Sequence, residues 1–118
     1  MDPEVIAAAR AAEACAMPGA MSPTEIRAAL AAGADMVKIF PASSVGGPAH
    51  IRALRAVFPD VAFCPTGGVD AGNAPAYLAA GAAAVGIGGK LVDEERIIAG
   101  DKQAILRAAR DALGLMQA

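Results

Sequence analysis

One lysine stands inside an apolar run, where the stretch Asp35 to Ser43 reads D-M-V-K-I-F-P-A-S. In an extended chain Met36, Lys38 and Phe40 face one side while Val37 and Ile39 face the other. Pro41 has no N–H to offer a neighbour and ends the ladder. The amine of Lys38 is thereby set beside a phenyl ring at the C-terminal end of a strand. Burial at such a place disfavours the ammonium form, and a neutral amine attacks carbonyl carbon, the first step of Schiff-base formation. The same pattern also fits a lysine on an exposed edge strand, where charge deters unwanted pairing.

Other candidate residues sit at equivalent places. Pro18 and Gly19, then Lys38 and Phe40, then Thr66, Gly67 and Gly68, then Gly88, Gly89 and Lys90 lie at the ends of four successive apolar segments. In parallel β/α folds these exits converge on one rim, where ligands bind. Glycine pairs let backbone N–H groups approach an anion, and the last two strand exits are the usual place for phosphate, with Lys90 adding positive charge. Paired glycines also make tight turns with no ligand.

The elements that must position these residues are readable from caps and breakers. Asp2-Pro3-Glu4 starts a helix expected to run to about Glu13. Cys15 to Met17 reads as a buried strand leading into a turn at Pro18-Gly19. Ser22-Pro23-Thr24-Glu25 is a capping box opening a helix whose stripe of Ile26, Leu30 and alanines ends at Gly33. After the Lys38 strand, residues 43–48 form a small-residue loop before a helix carrying Ile51, Leu54 and Val57. Val61 to Cys64 is the next strand and Ala71 to Ala80 the next helix; Ala84 to Ile87 is the last strand, followed by helices over Asp93 to Ile98 and Asp101 to Leu115.

The expected fold is therefore α/β: a helix followed by four parallel strand–helix units of TIM-barrel type, a half-barrel in one domain spanning 1–118. Such a sheet leaves two edges and an apolar face uncovered, which calls for a partner layer, either another copy or the other half of a longer parent. The 118 residues are 56% hydrophobic but only 3% aromatic, so the core is alanine-rich and buries little area per residue. A net charge of −2 provides no basic surface for nucleic acid or acidic lipid, and no run is long enough to cross a bilayer. Cys15 and Cys64 read as reduced core residues, a cytoplasmic location is expected, and the single His50 is too little for a histidine metal site and reads as helix surface.

Four stretches together resemble a known family. P-G-A-M-S-P-T-E at Pro18 to Glu25, K-I-F-P-A at Lys38 to Ala42, F-C-P-T-G-G-V at Phe63 to Val69 and V-G-I-G-G at Val85 to Gly89 are similar to the aldolases acting on 2-keto-3-deoxy-6-phosphogluconate and 4-hydroxy-2-oxoglutarate. The resemblance covers nearly the whole chain but only the C-terminal half of that family's barrel. It implies a class I aldolase in which Lys38 forms the imine with pyruvate, Phe40 packs beside it and Pro18 lines the pocket. Thr66 would contact the substrate's hydroxyl or carboxylate region, and Gly67, Gly68, Gly89 and Lys90 would hold the phosphate. The family often carries serine or asparagine where this chain has Lys90.

The resemblance further implies a small keto acid as substrate, no metal or organic cofactor, and a homo-oligomer, a trimer in the family. The family's acid/base glutamate and its carboxylate-binding arginine come from strands that precede this stretch, and Glu4, Glu13 and Glu25 do not match that glutamate. Enzyme activity is thus open at this point. The alternative is a truncated or engineered half-barrel that self-associates, binding at most a phosphate-bearing ligand. Phosphate-binding barrels of tryptophan or thiamine biosynthesis share the glycine loops but do not account for K-I-F-P followed by C-P-T-G-G.

Overall fold

The computed structural model describes secondary structure for residues 1–117 and side-chain exposure for residues 1–114. Its order is α1 (Pro3–Ala11), β1 (Gly19–Ala20), α2 (Pro23–Ala31), β2 (Val37–Ile39), a short 3-10 turn (Ser43–Val45), α3 (Gly47–Val57), β3 (Phe63–Pro65), α4 (Ala74–Ala79), α5 (Glu94–Ile98) and α6 (Lys102–Gln117). The strands form one parallel sheet in the order β1-β2-β3. Each successive strand is the spatial neighbour of the last, with a helix crossing over between them, as parallel connections require.

The caps act where the sequence places them. Asp2 accepts from the Glu4 N–H at the start of α1, and Ser22 and Glu25 close the reciprocal capping box of α2. The core lies between the sheet's outer face and the helices: Val37, Ile39 and Phe63 from the strands meet Ile26, Ala29, Ile51, Leu54 and Tyr77 from the helices. Among the described residues no helix is long and apolar enough to span a membrane.

Several boundaries differ from the sequence reading. α1 stops at Ala11, and Glu13 takes a positive φ of 55°, so the helix is shorter than expected. β1 falls at Gly19–Ala20 rather than Cys15–Met17; the Pro18 carbonyl accepts from Lys38 N–H, so Pro18 and Gly19 belong to the ladder instead of the turn beyond it. Cys15 is correspondingly exposed, not a core residue, while Cys64 is buried. β3 is displaced towards Pro65, because the ladder is set by its register on β2, with Val37 opposite Phe63 and Ile39 opposite Pro65.

The expected fourth strand shrinks to one bridge, Thr66 with Gly86. α4 begins at Ala74, since Asp70 and Asn73 exchange side-chain-to-backbone hydrogen bonds in the turn before it. The buried stripe of α2 is Ile26 and Ala29, leaving Leu30 at the surface. Gly100 takes a positive φ between α5 and α6, the break its position suggests.

Candidate active site

The pleat of β2 separates two environments. Val37 and Ile39 are fully buried on the helix side, whereas Lys38 and Phe40 emerge on the opposite face. Lys38 is half-buried, with Nζ 4.6 Å from the centroid of the Phe40 ring. A ring face at that distance attracts a cation, either the ammonium or the iminium that an imine-forming lysine would carry. Lys38 is in register with Gly19 on one side and Cys64 on the other. Gly19 has no side chain, and nothing lies within 4 Å of the place its Cβ would take, so the amine has free space towards β1.

That space is a cleft of about 350 Å³ lined by Met17, Gly19, Ala20, Met21, Glu25, Lys38 and Phe40. Glu25 was read from the sequence only as the carboxylate that closes a capping box. Because α2 starts directly after β1 ends, its first turn stands on the rim, and the capping carboxylate faces the lysine's cleft. One oxygen, Oε2, accepts from the N–H of Met21 at 2.9 Å, the N–H of Ser22 at 2.8 Å and the Ser22 hydroxyl at 2.8 Å. The Met21 N–H first, then the N–H and hydroxyl of Ser22, hold this carboxyl below the usual carboxylate range. His50 reaches across from α3, its Nε2–H donating to the Met21 carbonyl at 2.9 Å, so the Met21 peptides are held from both sides.

Thr66, Gly67 and Gly68 follow β3 on the same rim. Thr66 Oγ1 donates to the Cys64 carbonyl at 3.4 Å, and a Cβ on the bridged Gly86 would strike the Thr66 side chain. Gly67 and Gly68 have φ of 88° and 75°, and a Cβ on Gly67 would stand 3.0 Å from Cε2 of Phe40. Glycine is required here twice over, by conformation and by the approach of the ring. Their N–H groups have no acceptor among the described residues, leaving them free for an anion.

The remaining expected residues are placed differently. Pro18 lines a neighbouring apolar groove of about 300 Å³ against α1, which shares Met17 and Gly19 with the lysine's cleft. Gly89 and Lys90 lie on an exposed turn in which the Gly88 carbonyl accepts from Leu91 and Val92, and neither lines the cleft. Met17, Met21 and Glu25 were not among the expected site residues; the adjacency of a capping box to a strand exit was the available signal for Glu25. Among the described residues no three His, Cys, Asp or Glu side chains gather as metal ligands.

The fold and this cleft define a class: a parallel β/α protein presenting one lysine, backed by an aromatic ring, from a strand onto the rim where ligands bind. Residues 1–108 match the family described as KDPG and KHG aldolase, and the chain belongs to that family. It is 38% identical over 97 residues to the 2-dehydro-3-deoxy-phosphogluconate aldolase of Pseudomonas aeruginosa, covering 82% of this chain and 44% of that protein. It is 45% identical over 92 residues to a probable 2-dehydro-3-deoxy-6-phosphogalactonate aldolase of Rhizobium meliloti, covering 77% and 43%. Among solved structures, the KDPG aldolase of Legionella pneumophila, with pyruvate captured as a covalent carbinolamine, superposes with a TM-score of 0.79 at 33% identity, covering 99% of this chain and 54% of that one. The chain thus spans about half the length of the relatives it matches.

Proposed function

We propose that this chain carries the Schiff-base half of a class I aldolase site, with Lys38 as the nucleophile. The observation that carries this reading is the placement of Lys38: an amine on the open rim, beside a phenyl ring, with room for a small keto acid in the adjoining cleft. The capture of pyruvate as a carbinolamine in the Legionella relative supports the same chemistry.

The Lys38 nitrogen lone pair attacks the keto carbon, and loss of water from the carbinolamine gives an iminium. When the C4 hydroxyl proton leaves, the C3–C4 bond breaks, an aldehyde departs, and the electron pair moves through the enamine towards the cationic nitrogen. Protonation at C3 and hydrolysis then release pyruvate and restore the amine. The ring of Phe40 favours the cationic intermediate. Glu25 is a poor proton acceptor because hydrogen bonds hold it ionised. The acid/base glutamate of the family does not map onto a residue of this chain, and loss of such a group typically costs about 10²–10⁴ in rate.

The substrate class is a 2-keto-4-hydroxy acid, 2-keto-3-deoxy-6-phosphogluconate or 4-hydroxy-2-oxoglutarate, cleaved without metal or organic cofactor. Thr66 contacts the hydroxyl or carboxylate region, the free N–H groups of Gly67 and Gly68 meet the phosphate, Gly89 and Lys90 join them from the next loop, and Pro18 borders the pocket. The chain corresponds to the C-terminal half of the family's barrel, works in the cytoplasm and assembles as a homo-oligomer. A second reading, a non-catalytic half-barrel that self-associates, is favoured by one observation, the exposure of Phe40 at 49% on the open face. Intact mass after incubation with pyruvate and borohydride separates the two. Labelling that disappears in Lys38→Ala supports the lyase reading; an unlabelled but folded protein removes it.

A further inference from the structure

Met21 stands in the turn between β1 and α2, and the peptides on both sides of its Cα are tied down. The Ala20 carbonyl accepts from the N–H of Phe40, one residue past β2, at 3.4 Å. The N–H groups of Met21 and Ser22 both donate to Oε2 of Glu25, at 2.9 and 2.8 Å. The remaining tie is the Met21 carbonyl, which accepts from the Nε2–H of His50 at 2.9 Å. Each peptide is planar, so bonding it at both its C=O and its N–H fixes the plane. With the planes on either side of Met21 fixed, so is the direction in which its side chain leaves the backbone.

The ties from Phe40 and Glu25 come from the elements that already form the cleft. His50 comes instead from the first turn of α3, 29 residues further along the chain. Its bond joins the crossover that precedes β2 to the one that follows it. A carbonyl only accepts, so Nε2 carries the proton, and the ring keeps this donor whether or not Nδ1 is protonated. What the turn presents matters to the lysine, because Met21 and Glu25 line the same cleft as Lys38 and Phe40. Met21 is 41% exposed and its side chain is flexible, so its place in the cleft wall depends on the backbone that carries it.

We infer that His50 is a positioning residue for the Lys38 site: by holding the Met21 carbonyl it fixes the turn that presents Met21 as a wall of the cleft. The inference rests on the aldolase reading of Lys38. His50 touches no reacting atom, and the amine stays where β2 puts it. Loss of the tie loosens the wall against which a keto acid lies and leaves the nucleophile unaltered. The signature is weakened binding with an unchanged limiting rate.

The initial rate of labelling by pyruvate and borohydride, read by intact mass over a range of pyruvate concentrations, gives both quantities. His50→Leu, which removes the donor, is expected to raise the half-saturating pyruvate concentration about three- to tenfold and to change the limiting rate by less than about twofold. His50→Gln, whose amide N–H takes the place of Nε2–H, restores most of the affinity. Met21→Ala raises the concentration as His50→Leu does, and the double variant is no worse than the more affected single one, because His50 acts through Met21. Val57→Ser, at a position 63% exposed on the same helix, changes neither quantity. Circular dichroism establishes that each variant is folded; should His50→Leu not fold, His50→Asn, polar but too short to reach the carbonyl, takes its place. Equal half-saturation with and without the donor, or additive effects of the His50 and Met21 variants, overturns the inference and leaves imine formation standing. A wild-type chain that takes no label overturns the aldolase reading and this role with it.

Discussion

The two faces of β2 show how one short segment serves two purposes. On the helix side Val37 and Ile39 have no exposure at all and join Phe63 in the centre of the core. On the other side, Lys38 is half-buried and Phe40 half-exposed, although phenylalanine is the larger apolar side chain. The difference is one of neighbours. The helices of each crossover cover the outer face, while the inner face is closed over Cys64 but left open around Lys38 and Phe40. Stability is therefore concentrated on one side of the sheet and chemistry on the other, and substitutions on the two faces should separate.

The largest contrast is between two phenylalanines. Phe63→Ala removes a fully buried ring from a core otherwise rich in alanine and is expected to cost about 3–5 kcal/mol in denaturant unfolding. Phe40→Ala is expected to cost less than about 1 kcal/mol while lowering pyruvate labelling of Lys38. Equal losses of stability would mean that the inner face is covered in solution.

A second contrast lies between the glycine pairs. Gly67→Ala puts a side chain at a φ of 88° and against Phe40, and should cost about 1–3 kcal/mol. Gly89→Ala meets no neighbour within 4 Å and should change thermal stability by no more than about 0.5 kcal/mol. A reversal of that order would show that the exposed turn is packed in the assembled protein.

Glu25 gives the smallest effect and sharpens the boundary between cap and cleft. Its carboxyl is held below the usual carboxylate range by the Met21 and Ser22 hydrogen bonds, so the cap's contribution is present above that range and fades as pH falls through the lowered folded-state value. Glu25→Gln should flatten this acid limb in pH-dependent thermal melts while keeping an amide that can still cap α2. An unchanged acid limb would show that Glu25 does not contribute to it.

Much of this arrangement was legible in the residues. The alternation around Lys38 and the box Ser22–Glu25 depend on local geometry, strand period and cap chemistry, and both hold in the fold. Where pairing partners decide, the reading drifted. Pro18 and Gly19 looked like a turn but sit in the ladder because Lys38 bonds the Pro18 carbonyl. Ala84 to Ile87 looked like a full strand but keeps only one bridge, at Gly86, beside the Ala84 N–H that reaches the Phe63 carbonyl. Glu25 was understood as a cap, and its place in the lysine's cleft emerges only when the end of β1 and the start of α2 are set beside β2. The sequence by itself determined where the capped helices α1 and α2 start, which side of β2 bears the amine and which glycines interrupt the chain, since these follow from short-range sterics and hydrogen bonding. Only the tertiary structure decided register, the lining of the cleft and the exposure of the inner face, because each depends on which distant segments meet.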